Sequence, residues 1–181
     1  ATGSVPNSLP GISYDKEKII TSTEALSLPK VPKKMIVIGA GAIGLEMGSV
    51  WARLGSEVTI IEYSKQIGGP TDSSLAKRYL QILKKQGLEF ILEAKVTSAT
   101  LENSMVKVSY ENLKDGSTSE LHADVLLIAA GRVPYCENLG LEELGIEKDQ
   151  RGFVHVDSHF RTKYPNVYAI GDLIPGPMLA H

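Results

Sequence analysis

Runs of apolar residues in this chain change period several times, and each change marks an element. Met35, Ile36, Val37 and Ile38 form a continuous apolar run ending on Gly39, which predicts a buried strand over about 35–39. The pattern then becomes helical over about 42–54 and closes at Gly55. A second strand is expected at about 57–62, followed by a loop over 63–71 that contains Gly68, Gly69 and Pro70. Asp72 or Ser73 is a plausible N-cap for a helix over about 73–86, where Leu75, Tyr79, Ile82 and Leu83 fall at helical spacing before Gly87. A strand at 88–92 completes this half.

Residues 94–122 alternate instead. Val96, Ala99, Val106, Val108 and Tyr110 are separated by polar residues, and Asp115-Gly116 is a turn signal. This predicts an antiparallel meander laid over one edge of a parallel sheet. Val125 to Ala130 is again continuously apolar, as a central parallel strand would be. Beyond Gly131 the pattern is irregular, with a short helix near 141–144 and strands at 153–156 and 167–170. Residues 5–34, with Pro6, Pro10, Pro29 and Pro32, read as a connector holding a short helix at Ser22 to Leu26. Strands alternating with helices make the fold class α/β, a Rossmann-like three-layer domain with a parallel sheet and a meander.

Composition narrows the function classes. The 181 residues are 43% hydrophobic and 22% charged with a net charge of −2, so nothing points to nucleic acid or an anionic membrane as partner. The longest apolar runs are too short to span a bilayer. Cys136 is the single cysteine, so no internal disulfide forms and an intracellular compartment is the default. The opening Ala1-Thr2-Gly3-Ser4 and the closing Ala180-His181 suggest an excised piece of a longer protein.

The chemistry concentrates where the first strand meets its helix. Gly39, Gly41 and Gly44 have the spacing of a dinucleotide fingerprint, and an acid, Glu62, follows about 20 residues on at the end of the second strand. Gly39 serves the sharp turn, Gly41 the close approach of a pyrophosphate, and Gly44 the packing of helix on strand. The helix N-terminus offers unpaired N–H groups and a positive dipole end to phosphate. Glu62 can accept from the adenosine ribose hydroxyls and would repel a 2′-phosphate; Tyr63, Ser64, Lys65 and Gln66 include no arginine. The expected ligand is therefore NAD(H) rather than NADP(H), with Lys65 the one nearby cation.

Val167-Tyr168-Ala169-Ile170-Gly171-Asp172 is a second apolar strand ending in an acid, which alone would be an ordinary turn signal. Together with Ala1-Thr2-Gly3, the fingerprint, Glu62 and Ala130-Gly131-Arg132-Val133-Pro134, in this order and spacing, it resembles the two-dinucleotide flavin disulfide reductases. Within that family, residues 39–51, Asn138 to Gly145 and Gly176 to His181 most resemble the dihydrolipoamide dehydrogenase branch, the mitochondrial type in particular. The resemblance covers essentially the whole chain.

That resemblance implies site residues. Gly39, Ala40, Gly41, Ala42, Ile43, Gly44, Leu45 and Glu46 would wrap the NAD pyrophosphate, with Glu46 reaching towards the nicotinamide end. Glu62 would hold the adenosine ribose, Val96 would contact the adenine region, and Gly131 would lie beside the nicotinamide. For FAD, Thr2, Gly3 and Ser4 would line the cleft and Asp172 would bind the ribityl chain. Met178, Leu179, Ala180 and His181 would open a helix facing the isoalloxazine ring, where its N-terminus can stabilise negative charge on a reduced flavin. The resemblance also implies a homodimeric enzyme that oxidises protein-bound dihydrolipoamide, and a mitochondrial matrix location. Residues 68–72 look like a shorter loop than the family's usual one, a departure expected to bear on a surface crossing and not on the cofactor site.

Three domain segments follow: 1–31 as the end of an FAD domain and connector, 32–130 as the NAD-binding domain, and 131–181 as a truncated return to the FAD domain. The family's FAD fingerprint, cysteine pair and His–Glu pair are not in this sequence, so no catalytic residue is expected here. Cys136 reads as a bystander, and His181 as a flavin-side or terminal residue. His122, His155 and His159 lack metal-ligand spacing. Two other readings stay open. One is a related flavin reductase, glutathione reductase-like or NADH oxidase-like. The other is a catalytically silent NAD(H)-binding module whose flanking segments are poorly supported when isolated.

Overall fold

A computed structural model describes residues 1–179. In chain order its elements are β1 (Ser4–Pro6), β2 (Ile19–Ile20), α1 (Ser22–Ala25), β3 (Lys34–Ile38), α2 (Ala42–Arg53), β4 (Glu57–Glu62) and α3 (Ser73–Lys85). There follow β5 (Glu89–Leu92), β6 (Ala94–Glu102), β7 (Met105–Asn112), β8 (Thr118–Ala123), β9 (Val125–Ile128), β10 (Arg132–Pro134) and a 3₁₀ turn at Gly171–Leu173. They fall into two compact units, residues 8–130 and residues 1–7 together with the chain from 131 onward.

The larger unit has three layers. Its middle layer is a parallel sheet in the order β2-β9-β3-β4-β5. Alternation along each strand sends side chains to both faces, and both faces are apolar. Met35, Val37, Val58, Ile60 and Leu127 pack against Ala25 of α1, Leu45 and Trp51 of α2, and Leu83 of α3. On the other face Ile36, Ile38, Ile61, Leu126 and Ile128 meet Ala94, Ala99, Val106, Val108 and Ala123 of the antiparallel sheet β6-β7-β8. The meander therefore covers a face of the parallel sheet, not the edge expected from sequence. A face of five apolar side chains buries the inward positions of the meander, which an edge of backbone groups would not do.

Two features position the rest. Gly48 lies inside α2, where glycine weakens a helix, but a Cβ there would stand 3.2 Å from Ile60 Cδ1. The glycine brings α2 down onto the sheet. The stretch expected as connector, residues 5–34, contributes Ile19 and Ile20 as a fifth strand paired with Leu126 and Leu127. The helix that follows is held by a capping box, with Thr21 Oγ1 accepting from Thr23 N and Glu24 accepting from Thr21 N at 2.9 Å.

The smaller unit has less regular structure. β1 and β10 pair antiparallel, placing Ser4 opposite Pro134 and Pro6 opposite Arg132. Its core gathers Ile146, Val154, Ala169 and Leu173. The expected helix near 141–144 is instead a hydrogen-bonded turn, bracketed by Gly140 (φ +66°) and Gly145 (φ +60°), whose left-handed backbone ends a helix before it propagates. The expected strands at 153–156 and 167–170 reduce to single bridges, Lys148 to Val154 and Arg161 to Tyr168. Among the described residues no helix is long and apolar enough to cross a membrane.

Candidate functional site

Three glycines shape the turn between β3 and α2, each for a different reason. Gly39 has φ +102°, and a Cβ on it would lie 2.5 Å from the Ala129 carbonyl oxygen. Only glycine can make that turn beside β9. Gly44 is ordinary in conformation, yet a Cβ there would lie 2.0 Å from the Gly39 carbonyl oxygen, so α2 sits directly on the turn. Gly41 differs. Its φ of −78° and ψ of −174° suit any residue, and a Cβ would meet nothing within 4 Å.

The fold thus needs Gly39 and Gly44 but makes no demand on Gly41. Gly41 is also the N-cap of α2, and it supplies no side-chain hydrogen bond. The first amides of α2 consequently have no side-chain cap, a set of N–H donors at the positive end of a twelve-residue helix. An extended diphosphate suits this arrangement in charge, donors and room.

Glu62 closes the turn from the next strand. Its Oε2 accepts from Ala40 N at 2.6 Å and its Oε1 from Ser64 N at 2.8 Å. Sequence reasoning placed the acid at the strand end but missed this backbone role. A carboxylate has about four lone-pair sites, so two amides leave capacity for sugar hydroxyls. Gly68 N donates to Ala40 O at 2.8 Å, so the glycine loop after β4 braces the same turn. It was expected to be a surface crossing only. Lys65 is exposed on that loop.

The other residues expected at the NAD site are dispersed. Ala42, Ile43, Leu45 and Glu46 follow the turn on α2, with Leu45 buried and Glu46 exposed. Val96 is half-buried at a register irregularity of the meander. Gly131 belongs to the smaller unit, where its φ is +98°.

The flavin-side candidates cluster within the smaller unit. Ser4 Oγ donates to Asp172 Oδ2 at 2.5 Å, and Arg132 Nε donates to Ser4 Oγ at 2.7 Å. A further Arg132 nitrogen, Nη2, donates to the Ser4 carbonyl. Because Arg132 occupies a lone pair of the Ser4 oxygen, the hydroxyl proton is directed at Asp172. Arg132 was quoted in the sequence motif without a role; being the one cation of residues 130–134 was the available signal. Thr2 Oγ1 donates to Tyr135 O at 2.5 Å, and Gly3 has φ +80°. Met178 is half-buried and Leu179 exposed, while Ala180 and His181 lie outside the described residues. Cys136 sits 3.7 Å from the Gly152 carbonyl, and burial pushes its thiol up despite the opposing charge of Lys148. Among the described residues no group of three or more His, Cys, Asp or Glu side chains could hold a metal ion.

Residues 1–181 match the family model described as pyridine nucleotide-disulphide oxidoreductase. The chain belongs to that family. Among curated relatives it is 52% identical to the mitochondrial dihydrolipoyl dehydrogenase of Canis lupus familiaris, over 100% of this chain and 36% of that protein. It is likewise 52% identical to mitochondrial dihydrolipoyl dehydrogenase 1 of Arabidopsis thaliana, over 100% of this chain and 36% of the relative. Among solved structures, the HOCl-induced flavoprotein disulfide reductase RclA of Escherichia coli matches with a TM-score of 0.85 and 33% identity. That alignment covers 96% of this chain and 39% of RclA. The family resemblance and the three-layer α/β reading therefore hold for this pyridine nucleotide-disulphide oxidoreductase chain. It spans about 36% of the length of the curated relatives named above.

Proposed function

We propose that the glycine turn and Glu62 form the NAD(H) site of a flavoprotein disulfide oxidoreductase that oxidises dihydrolipoamide. The open face of Gly41, beside an α2 terminus without a side-chain cap, carries this reading: the fold itself does not require that glycine. Residues 39–46 hold the pyrophosphate, Glu62 the adenosine ribose, and Val96 the adenine side. Gly131, Thr2, Gly3, Ser4, Asp172 and the segment from Met178 belong to the nicotinamide and FAD side. The larger unit is accordingly the nicotinamide-dinucleotide domain, and the smaller one a part of the FAD domain.

When bound, the two cofactors supply hydride transfer between flavin and NAD⁺. The residues of this chain bind and orient. The α2 amides and dipole anchor the diphosphate, Glu62 sets the ribose and disfavours a 2′-phosphate, and Ser4 with Arg132 aims Asp172. Fixed placement makes the transfer effectively unimolecular. The names of the dihydrolipoyl dehydrogenase relatives support a dihydrolipoyl group as electron donor and a mitochondrial location. A lipoyl-bearing protein as its carrier, a homodimeric assembly and the matrix complete this reading.

Fluorescence titration with NADH and NADPH tests the cofactor assignment. Saturable binding that favours NADH by about tenfold or more is expected, equivalent to ~1.4 kcal/mol. Glu62→Gln should shrink that ratio, because the repulsion of the 2′-phosphate goes with the charge. Equal affinities in the unmodified protein would refute the assignment.

A further inference from the structure

Helix α3 carries a second apolar stripe in addition to the one that packs in the core. Ala76 and Leu83 are buried at 2% exposure each, and Leu80 packs against the same cluster. Leu75, Tyr79 and Ile82 are instead 60%, 40% and 45% exposed. Their spacing of i, i+4 and i+7 puts them on one line along the helix. Single exposed apolar residues are ordinary, but three in a line form a surface that water does not favour.

Charge gives the stripe a sign. Between Ser73 and Lys85 the helix has Lys77, Arg78, Lys84 and Lys85 and no acid, in a chain whose net charge is −2. None of these four cations makes an ion pair among the described residues. The nearest acid, the N-cap Asp72, already accepts from Ser74 N and Leu75 N. Arg78 stands three residues after Leu75, and Lys85 three after Ile82, so both border the stripe. Lys77 instead lines a cavity with Ala76, Leu80 and the Lys65 to Ile67 segment, on the helix's other flank.

We propose that this stripe docks an acidic amphipathic helix of a partner protein, with apolar residues at i, i+3/i+4 and i+7 against Leu75, Tyr79 and Ile82. Carboxylates beside them would meet Arg78 and Lys85. A second copy of this chain fits poorly, since an isologous contact would press Arg78 and Lys85 against like charges. A bilayer also fits poorly, because it takes a broad apolar face with cations on both borders. Here the stripe is one side chain wide and Lys77 and Lys84 lie across the helix from it. A contact this small is weak and transient.

The test uses a fluorescein-labelled peptide of about 15 residues, helical and built from Leu and Glu in that pattern, titrated by anisotropy. Saturable binding is expected that weakens with added salt. It should fall about tenfold or more in Arg78→Glu/Lys85→Glu and also in Leu75→Ser/Ile82→Ser. NADH affinity should stay unchanged in both, which shows that the variants are folded. Loss of peptide binding in neither variant, or no binding at all, would overturn the proposal. So would self-association that sedimentation shows to be abolished by Leu75→Ser/Ile82→Ser, or binding only to vesicles containing about one third phosphatidylglycerol.

Discussion

Replacing Gly41 by serine should raise the stability of this protein while weakening its hold on NADH, two effects of opposite sign from one hydroxymethyl group. A Cβ at Gly41 meets no atom within 4 Å, and φ −78° with ψ −174° is the extended conformation usual for an N-cap. Serine there can accept from an orphan amide of α2, which glycine cannot. Serine exceeds glycine as an N-cap by only a few tenths of a kcal/mol. For a domain of this size that is about 1–2 °C in Tm. The same atoms would stand where the diphosphate must approach. Pushing it back by one atom removes at least one charge-assisted hydrogen bond, worth about 1.5–3 kcal/mol, or about 10- to 150-fold in Kd.

A thermal melt and an NADH titration on the same sample read both effects. Gly44→Ala is the control, because its Cβ would lie 2.0 Å from the Gly39 carbonyl oxygen. It should cost about 2–3 kcal/mol or more in stability. Gly41→Ser with unimpaired NADH binding would place the diphosphate elsewhere. A melting temperature lowered as far as that of Gly44→Ala would refute the open space on which the argument stands.

Other perturbations probe separate parts of the molecule. The side-chain hydrogen bond from Thr21, aided by the Thr21 amide and opposed by burial, holds the Glu24 carboxyl below the ordinary glutamate range. The stability it contributes is present above that range and lost as pH falls through the depressed value. Thr21→Val should therefore flatten the acid limb of a stability-versus-pH curve; an unchanged limb would refute the linkage. In the smaller unit, Arg132→Met should weaken FAD retention in the full-length flavoenzyme, with Asp172→Asn weakening it as well. Loss with Asp172→Asn alone would deny Arg132 its positioning role. Burial raises the Cys136 thiol, so iodoacetamide should label it more slowly at neutral pH than a free cysteine; rapid labelling would contradict that environment.

How much of this was legible in the sequence depends on whether the cause was local. Gly39 and Gly44 could be read because a turn and a helix–strand contact require glycine within a few residues of the place where it stands. Strands β3 and β9 could be read because burial on both faces writes a continuous apolar run, and β4 because Val58, Ile60 and Ile61 leave a shorter version of the same signal. The two-residue strand Ile19–Ile20 is too short to show a period, and only its pairing with Leu126 and Leu127 makes it a strand. The meander's alternation was visible, but alternation says that one face is buried and not against what. Ile36, Ile38 and Ile61 decide that it is the sheet's face.

The same distinction explains the candidate site. An acid at the end of β4 was visible, and so in principle was its local bond from Ser64 two residues on, but its bond from Ala40 depends on the closeness of two strand ends 22 residues apart. Arg132 and Ser4 are 128 residues apart, and no local pattern couples them. In the smaller unit, alternating or apolar runs around Val154 and Tyr168 suggested strands, yet each has a single bridge, and Tyr168 is 56% exposed. Strand propensity describes a side chain that suits a pleated, half-buried surface, and it cannot supply the neighbouring strand. Gly41 is the informative case between these extremes: its type was read from sequence, but only the structure separates a glycine that the fold needs from one that it leaves free. That separation is why a stabilising substitution at Gly41 can serve as a test of binding.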